Sequence, residues 1–208
     1  MRIRSLVIAF VLLVSACGPA VNPDPNHTHA DFAVWVAGQR LDFTDEPYMS
    51  GLSTDENHDN EEGLRKYLHL HDGIDNVVHR HKPGLTLGDF LGTIGLPATP
   101  GCITLDDAQF MALDEDLKKD YAFQKRLCDS GKFRWTMVVN GTAKPFDPAY
   151  AFADLDKVLL SYSASDTAWQ DEWAEMTDEA CLYSKTCPER GEPPAENCVS
   201  DPAVPCLE

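Results

Sequence analysis

Six of the seven histidines in this 208-residue chain stand in three His-x-His pairs. The pairs are His27 and His29, His69 and His71, and His79 and His81. Side chains two residues apart point to the same face of a β-strand, so a strand that carries such a pair brings both imidazoles to one side of its sheet. The pattern therefore predicts a fold in which several strands present histidine to a common face.

The second and third pairs are predicted to face each other across a β-hairpin over residues 67–81. A turn centred near Asp75 places His71 opposite His79 and His69 opposite His81. Opposed Cβ atoms lie about 5 Å apart, which suits two ligands of one metal ion bound through nitrogen at about 2 Å. A register slip of one residue would instead send the two pairs to opposite faces.

The first pair lies at the start of the first predicted strand, with Asp31 on the same face. If that strand lies beside the hairpin, six histidines and a carboxylate become available. Asp72 and Asp75 border the predicted turn, where they either form the turn or orient imidazoles. A tetrahedral ion needs three or four ligands, so a two-metal site and a one-metal site with supporting histidines both stay open.

The expected ion is a divalent transition metal, because imidazoles with nearby carboxylates suit zinc, copper or nickel. Zinc and copper are preferred, and the sequence does not separate them. The alternative without metal is a hydrogen-bonded or pH-sensitive histidine surface. The seventh histidine, His58, is expected to be a solvated bystander unless its loop folds over the site.

The rest of the pattern predicts an α+β domain over residues 27–165, with a mixed or antiparallel sheet built from hairpins and packed on one or two helices. A first hairpin is expected over residues 31–43, another over 132–146 with the type I′ turn signal Asn140-Gly141, and a last strand over 158–162. An acidic loop, residues 42–66, interrupts the domain. Its first 21 positions, 42–62, carry eight carboxylates and no Lys or Arg, and they fail the EF-hand pattern.

Three helical segments are predicted. Thr86 caps a short helix that ends at Gly95, an interrupted helix covers 106–127, and a third runs from 168 to about 180. Thr167 and Gln170 form the expected capping box of the third helix. Its apolar residues are expected to pack rather than bind a ligand: Trp169, Trp173 and Met176.

The N-terminus is typical of an export signal, residues 1–16, with Arg2 and Arg4 before nine apolar residues that are too few to span a bilayer. The run from Leu13 to Cys17 resembles a bacterial lipobox, in which Cys17 receives lipid and residues 17–26 serve as a tether. The protein is therefore expected to be exported and lipid-anchored in the bacterial cell envelope. Gly18 after the cysteine favours the outer membrane if the source is Gram-negative.

Six further cysteines remain after Cys17, and an even number in an oxidising compartment favours disulfides. Cys102 and Cys128 flank a helical stretch and could pair. The others belong to a polar C-terminal segment, residues 166–208, that is expected to need its own disulfides: Cys181, Cys187, Cys198 and Cys206. A zinc knuckle is the alternative, but it lacks a Cys-x-x-Cys pair.

Composition restricts the partners. The formal net charge of −17 and the absence of a basic patch argue against nucleic acid. Contact with membrane is expected only through the N-terminal lipid, and an envelope protein is a further possible partner.

Three segments together resemble a family of uncharacterised prokaryotic secreted or anchored proteins: 27–36, 69–81 and 84–90. The resemblance covers about residues 27–165 and implies a β-grasp-like core, with no established activity. The insertion with Cys102 and Cys128 and the cysteine-rich tail depart from it. Gly63 followed by His69-x-His71 also matches the opening of a cupin motif, but the glutamate expected next is missing.

Three functional classes follow. The favoured one is a lipid-anchored metal-binding protein that captures, buffers or delivers an ion, since no nucleophile or general base stands out. The second is a metal-dependent enzyme, hydrolytic or a cupin-like oxygenase, using the same histidines. The third is a metal-free envelope interaction module that works through the cysteine tail and the tryptophan helix.

Overall fold

The structure, a computed structural model, describes residues 21–24, 26–50 and 63–192. The predicted signal with Cys17, the loop segment with His58, and the cysteines Cys198 and Cys206 lie outside the described residues. Within the ranges described, no helix is both long and apolar enough to cross a membrane.

The fold is α+β, as predicted, and is organised around a mixed seven-stranded sheet. The large sheet consists of β1 (Thr28–Val36), β2 (Gln39–Arg40), β3 (Leu68–His71), β4 (Ile74–Arg80), β8 (Arg134–Val139), β9 (Thr142–Pro145) and β10 (Lys157–Ser163). A separate small sheet consists of β5 (Ala98–Thr99), β6 (Cys102–Thr104) and β7 (Arg126–Cys128). The order across the large sheet is β3-β4-β1-β10-β8-β9, with β2 paired to the far end of β1. Only the β1 and β10 pairing is parallel among its strand pairs.

Strand β1 is buried on both faces over all nine residues, and its sequence from Phe32 to Val36 is an unbroken apolar run. Phe32 and Val34 belong to the main core. Ala33 and Trp35, which alternate with them, belong to a smaller cluster on the other face. The predicted packing role of the third helix is confirmed there, because its apolar residues cover this smaller cluster: Trp169, Trp173 and Met176.

Five helices complete the described chain: α1 (Leu87–Thr93), α2 (Asp107–Ala112), α3 (Glu115–Tyr121), α4 (Trp169–Ala174) and α5 (Ala180–Tyr183). Helix α1 starts at a capping box of Thr86 and Asp89, and Gly95 follows it at a φ of 80°. The predicted interruption over 106–127 is also confirmed, since α2 and α3 are separate and β7 takes up the last residues.

The single helix predicted from 168 to 180 is wrong in two respects. It breaks between α4 and α5, because Thr177 and the amide of Glu179 turn aside to donate hydrogen bonds to Asp31. The capping box of Thr167 and Gln170 does not form either. Helix α4 is capped by Ala168 without a side-chain bond, and the hydroxyl of Thr167 contacts Ser165 instead.

Two disulfides lie within the described residues. Cys102 and Cys128 join β6 to β7, where they are direct cross-strand neighbours, so the predicted pairing is confirmed. Cys181 and Cys187 close a loop with a sequence separation of 6 in the C-terminal segment. This short loop begins inside α5 and holds the segment that packs on the histidine-bearing strands.

Candidate metal centre

Three adjacent strands bring the His-x-His pairs together, because β3, β4 and β1 are neighbours in the large sheet. His79 on β4 is the middle of this arrangement. It lies opposite His29 on β1 and also opposite His69 on β3. His29 alternates with Ala30 of the main core, so the imidazoles occupy the face of the sheet that the C-terminal segment covers.

The predicted register of the hairpin is wrong. The turn is Asp72–Gly73, with φ values of 58° and 71°, and Asp75 falls inside β4. His69 therefore pairs with His79 rather than with His81. The register then shifts along the hairpin. A step of two positions from His69 to His71 is paired with a step of five positions from His79 back to Ile74. This irregularity absorbs three extra residues in β4 and still leaves both pairs on one face.

The six imidazoles form one continuous cluster, called here the histidine cluster: His27, His29, His69, His71, His79 and His81. Ring centroids are 4.1 Å apart for His81 and His27, 4.4 Å for His27 and His29, 4.8 Å for His29 and His79, and 3.9 Å for His79 and His71. The ring centroid of His69, the sixth member, lies 5.0 Å from that of His81. His27 is half-buried and the other five are buried, which is unusual for so many polar rings.

Three members of the cluster are arranged as metal ligands. His27, His79 and His81 each offer a ring nitrogen, and these nitrogens lie within 4.8 Å of one another. Around a tetrahedral ion with bonds of about 2.0 Å, the nitrogens lie about 3.3 Å apart, so modest ring rotations suffice to close on an ion. The backbone of His27 is held by the preceding turn, in which its amide donates to Asp24 and its carbonyl accepts from Asn22. These three residues could hold a metal ion.

A hydrogen-bond relay orients His79 within this trio. Nδ1 of His71 lies 2.7 Å from the Asp72 carboxylate and donates to it, because a carboxylate only accepts. In the neutral form of His71, Nε2 then carries the lone pair and accepts from Nδ1 of His79 at 3.2 Å. The lone pair of His79 is thereby assigned to Nε2, the form of imidazole that ligates a metal. Asp72 thus fulfils both roles considered for it, the turn and the orientation of an imidazole.

His69 is fixed in the same way. Its Nδ1 donates to the carbonyl of Arg65 at 2.8 Å, which leaves the lone pair on Nε2. His69 contacts the trio through the ring of His81 but is not one of the three close ligand residues. The structure therefore brings all six predicted histidines together and distinguishes three of them.

The two remaining predicted carboxylates do not belong to the three-residue ligand group. Asp31 is buried, and its carboxylate accepts hydrogen bonds from Thr177 and from the amides at the start of α5. Burial raises its pKa, and the bonds from Glu179 and Thr177 oppose that rise. Asp75 forms an ion pair with Arg40 at 2.9 Å and accepts from the amide of Phe43. Their roles are to hold the chain around the site.

Sequence reasoning missed the residues of the C-terminal segment that cover the cluster. The ring of Tyr183 stands edge-on to His79 with a centroid distance of 4.8 Å and also contacts His29 and His71. Ser184 lies 2.8 Å from Nδ1 of His29. The spacing of Cys181 and Cys187 around these two residues is the only signal in the sequence that marks this stretch as ordered.

A buried set of imidazoles whose ring nitrogens are oriented by hydrogen bonds has the donor chemistry to bind a divalent transition metal. Comparison with models of protein families, with curated proteins and with solved structures finds no match for the chain.

Proposed function

We propose that this protein binds a divalent transition metal ion through His27, His79 and His81 and serves to capture, buffer or deliver that ion. The observation that carries the proposal is the close approach of the three ring nitrogens, within 4.8 Å, in a buried cluster. The relay from Asp72 through His71 adds support, since it presets His79 as a ligand before any ion arrives.

The donor set and its burial define the kind of site. Imidazole nitrogen without thiolate or thioether selects zinc or copper, with nickel less favoured. His79 and His81 are only 1% and 4% exposed, and Tyr183 closes the face above His79. A catalytic ion keeps a coordination position open to substrate, so this covered arrangement favours holding an ion over turning over a substrate.

The proposed location is the bacterial cell envelope, with Cys17 lipidated after removal of residues 1–16 and the outer membrane as the site in a Gram-negative cell. This part rests on the sequence of residues 1–18. We also propose that the domain is β-grasp-like and related to the prokaryotic family that it resembles. The parallel pairing of the first and last strands of the large sheet, with α1 packed in the main core, supports that arrangement.

Metal analysis of the protein, purified without a polyhistidine tag, tests the function. Wild type, His79→Ala and His58→Ala are loaded with zinc or copper, desalted and analysed for bound metal and for affinity by chelator competition. Wild type and His58→Ala are expected to retain one ion per chain. His79→Ala is expected to bind at least about 100-fold more weakly, since loss of a ligand should exceed the effect of losing a residue that only orients one. Equal retention by wild type and His79→Ala contradicts the proposal.

A further inference from the structure

Ser184 connects the C-terminal segment to the histidine cluster. Its hydroxyl oxygen lies 2.8 Å from Nδ1 of His29 and 2.6 Å from a carboxylate oxygen of Asp154. The same oxygen of Asp154 accepts the backbone amide of His29 at 3.0 Å. Ser184 is 1% exposed, so these contacts are made away from solvent.

The direction of this relay follows from what each group can donate. The Asp154 carboxylate only accepts, so the hydroxyl proton of Ser184 points to it. The hydroxyl oxygen then accepts, and Nδ1 of His29 must supply the proton. This assigns the lone pair of His29 to Nε2, as the other relay does for His79.

Three features hold Ser184 where the relay needs it. The start of α5 is fixed on Asp31, whose carboxylate accepts the amide of Glu179 at 2.7 Å. The amide of Ser184 donates to the carbonyl of Ala180 at 3.0 Å. The disulfide between Cys181 and Cys187 closes the loop around it. The hydroxyl is therefore preorganised against β1 and is not a chance surface contact.

His29 is also correctly placed among the candidate ligands. It lies directly opposite His79 in the β1 and β4 pairing, and its ring centroid is 4.8 Å from that of His79 and 4.4 Å from that of His27. These separations match the 4.1 Å between His27 and His81, two members of the trio. The two pairs on β1 and β4 thus form an unbroken set of four imidazoles.

We infer that His29 is the fourth ligand of the metal ion and that Ser184 is the residue that positions it. The inference rests on the proposed function and refines it. A site of four imidazoles from His27, His29, His79 and His81 fills a tetrahedral shell, so it leaves no position for a reactive water. Ser184 and the short loop around it, although they are not among these four ligands, are on this view part of the metal site.

The tautomer of His29 provides the first test, and it needs no metal. Long-range proton–nitrogen correlation NMR of the ion-free protein, labelled with ¹⁵N at histidine, reports which ring nitrogen carries hydrogen. Wild type is expected to show His29 protonated at Nδ1 alone, and Ser184→Ala is expected to show a mixture of both tautomers. Ser165→Ala, which removes a serine from the exposed turn before α4, is the matched control and should leave the spectrum of His29 unchanged.

Zinc affinity, measured by chelator competition, provides the second test. Ser184→Ala is expected to weaken binding about tenfold, which is typical for loss of a group that orients a ligand. A lower melting temperature of the ion-free protein is also expected, because His29 and Asp154 both lose a buried hydrogen-bond partner. His29→Ala is expected to weaken it as much as His79→Ala does. If wild type binds zinc and either His29→Ala or Ser184→Ala binds equally tightly, the inference is overturned and the proposed function stands. If wild type binds no zinc or copper, the proposed function fails and this refinement fails with it.

Discussion

At the scale of single residues, the site is defined by which nitrogen of each imidazole carries hydrogen. In three of the imidazoles Nδ1 donates the hydrogen, each time to a different acceptor. The acceptors are the Asp72 carboxylate for His71, the Arg65 carbonyl for His69 and the Ser184 hydroxyl for His29. The sequence could predict the histidines, because alternation along a strand is local. It could not predict Arg65 or Ser184 as partners, because a carbonyl and a serine acquire that role only from the fold.

Asp72→Asn separates the two roles of Asp72. Asparagine tolerates the left-handed backbone of the turn, so the hairpin should persist. The charged acceptor for Nδ1 of His71 is lost, however, and the orientation of His79 should loosen. We expect about tenfold weaker zinc binding with little change in melting temperature, measured by chelator competition and thermal unfolding. Asp147→Asn, in an exposed turn outside the cluster, is the control; equal affinity of both variants would show that the relay has no influence.

Glu172 supplies a prediction on pH. This side chain is 4% exposed on α4, and although Ser161 partly offsets the cost, burial raises its pKa above the usual 4.5. At low pH the carboxyl is protonated in both folded and unfolded chains and carries no penalty. As pH rises, the unfolded chain loses its proton first, so stability falls until pH exceeds the raised pKa of the folded state.

Glu172→Gln should therefore be more stable than wild type at pH 7, and this difference should disappear below about pH 4.5. Denaturant unfolding across this pH range measures it. A constant offset between Glu172→Gln and wild type at every pH would assign the effect to packing rather than to ionisation.

At the scale of elements, local signals predicted the strands of the large sheet and helix α1, but not the small sheet, the break between α4 and α5, or how elements meet. The Asn140-Gly141 turn and the Thr86 capping box form because their determinants lie within a few residues. The register between β3 and β4 was mispredicted because three extra residues are absorbed inside β4, and no turn signal specifies that. The cover of the cluster was missed because Asp31 and Glu179 meet across 148 residues of sequence.

The two disulfides are expected to have different effects when removed. Loop entropy predicts that loss of Cys102–Cys128, with a separation of 26, costs about 3.5 kcal/mol of unfolding free energy, and that loss of Cys181–Cys187, with a separation of 6, costs about 2 kcal/mol. Only the second disulfide braces residues that contact the cluster. The double serine variant at 181 and 187 should therefore lose metal affinity, although it is the less destabilised of the two.

Denaturant titration gives the stability order and chelator competition gives the affinity order. The double serine variant at 102 and 128 serves as the control for general destabilisation. If only the variant at 102 and 128 loses metal affinity, the assignment of the C-terminal segment to the metal site is contradicted.

At the scale of the whole molecule, the net charge and the proposed lipid anchor lead to a prediction about membrane attachment. A net charge of −17 raises the local concentration of cations and provides no affinity for anionic lipid, so the protein itself has no electrostatic reason to bind a membrane. Attachment should then depend on Cys17 alone. In a bacterial host that processes lipoproteins, Cys17→Ser is expected to move the protein from the membrane fraction to the soluble fraction, detected by immunoblot. Retention in the membrane fraction would contradict lipid anchoring.

Binding should also be visible as stability of the entire fold, because the candidate ligands lie on two strands near the middle of the large sheet. An ion that binds only the folded state stabilises it by about 2.7 kcal/mol when its free concentration is 100 times its dissociation constant. Zinc should therefore raise the melting temperature of wild type, and a chelator should reverse the shift. His79→Ala, which binds zinc at least about 100-fold more weakly, should be stabilised by at most about 0.4 kcal/mol at the same zinc concentration. If the variant is stabilised as strongly as wild type, the ion binds elsewhere, for instance at the acidic surface, and the histidine cluster is not its site.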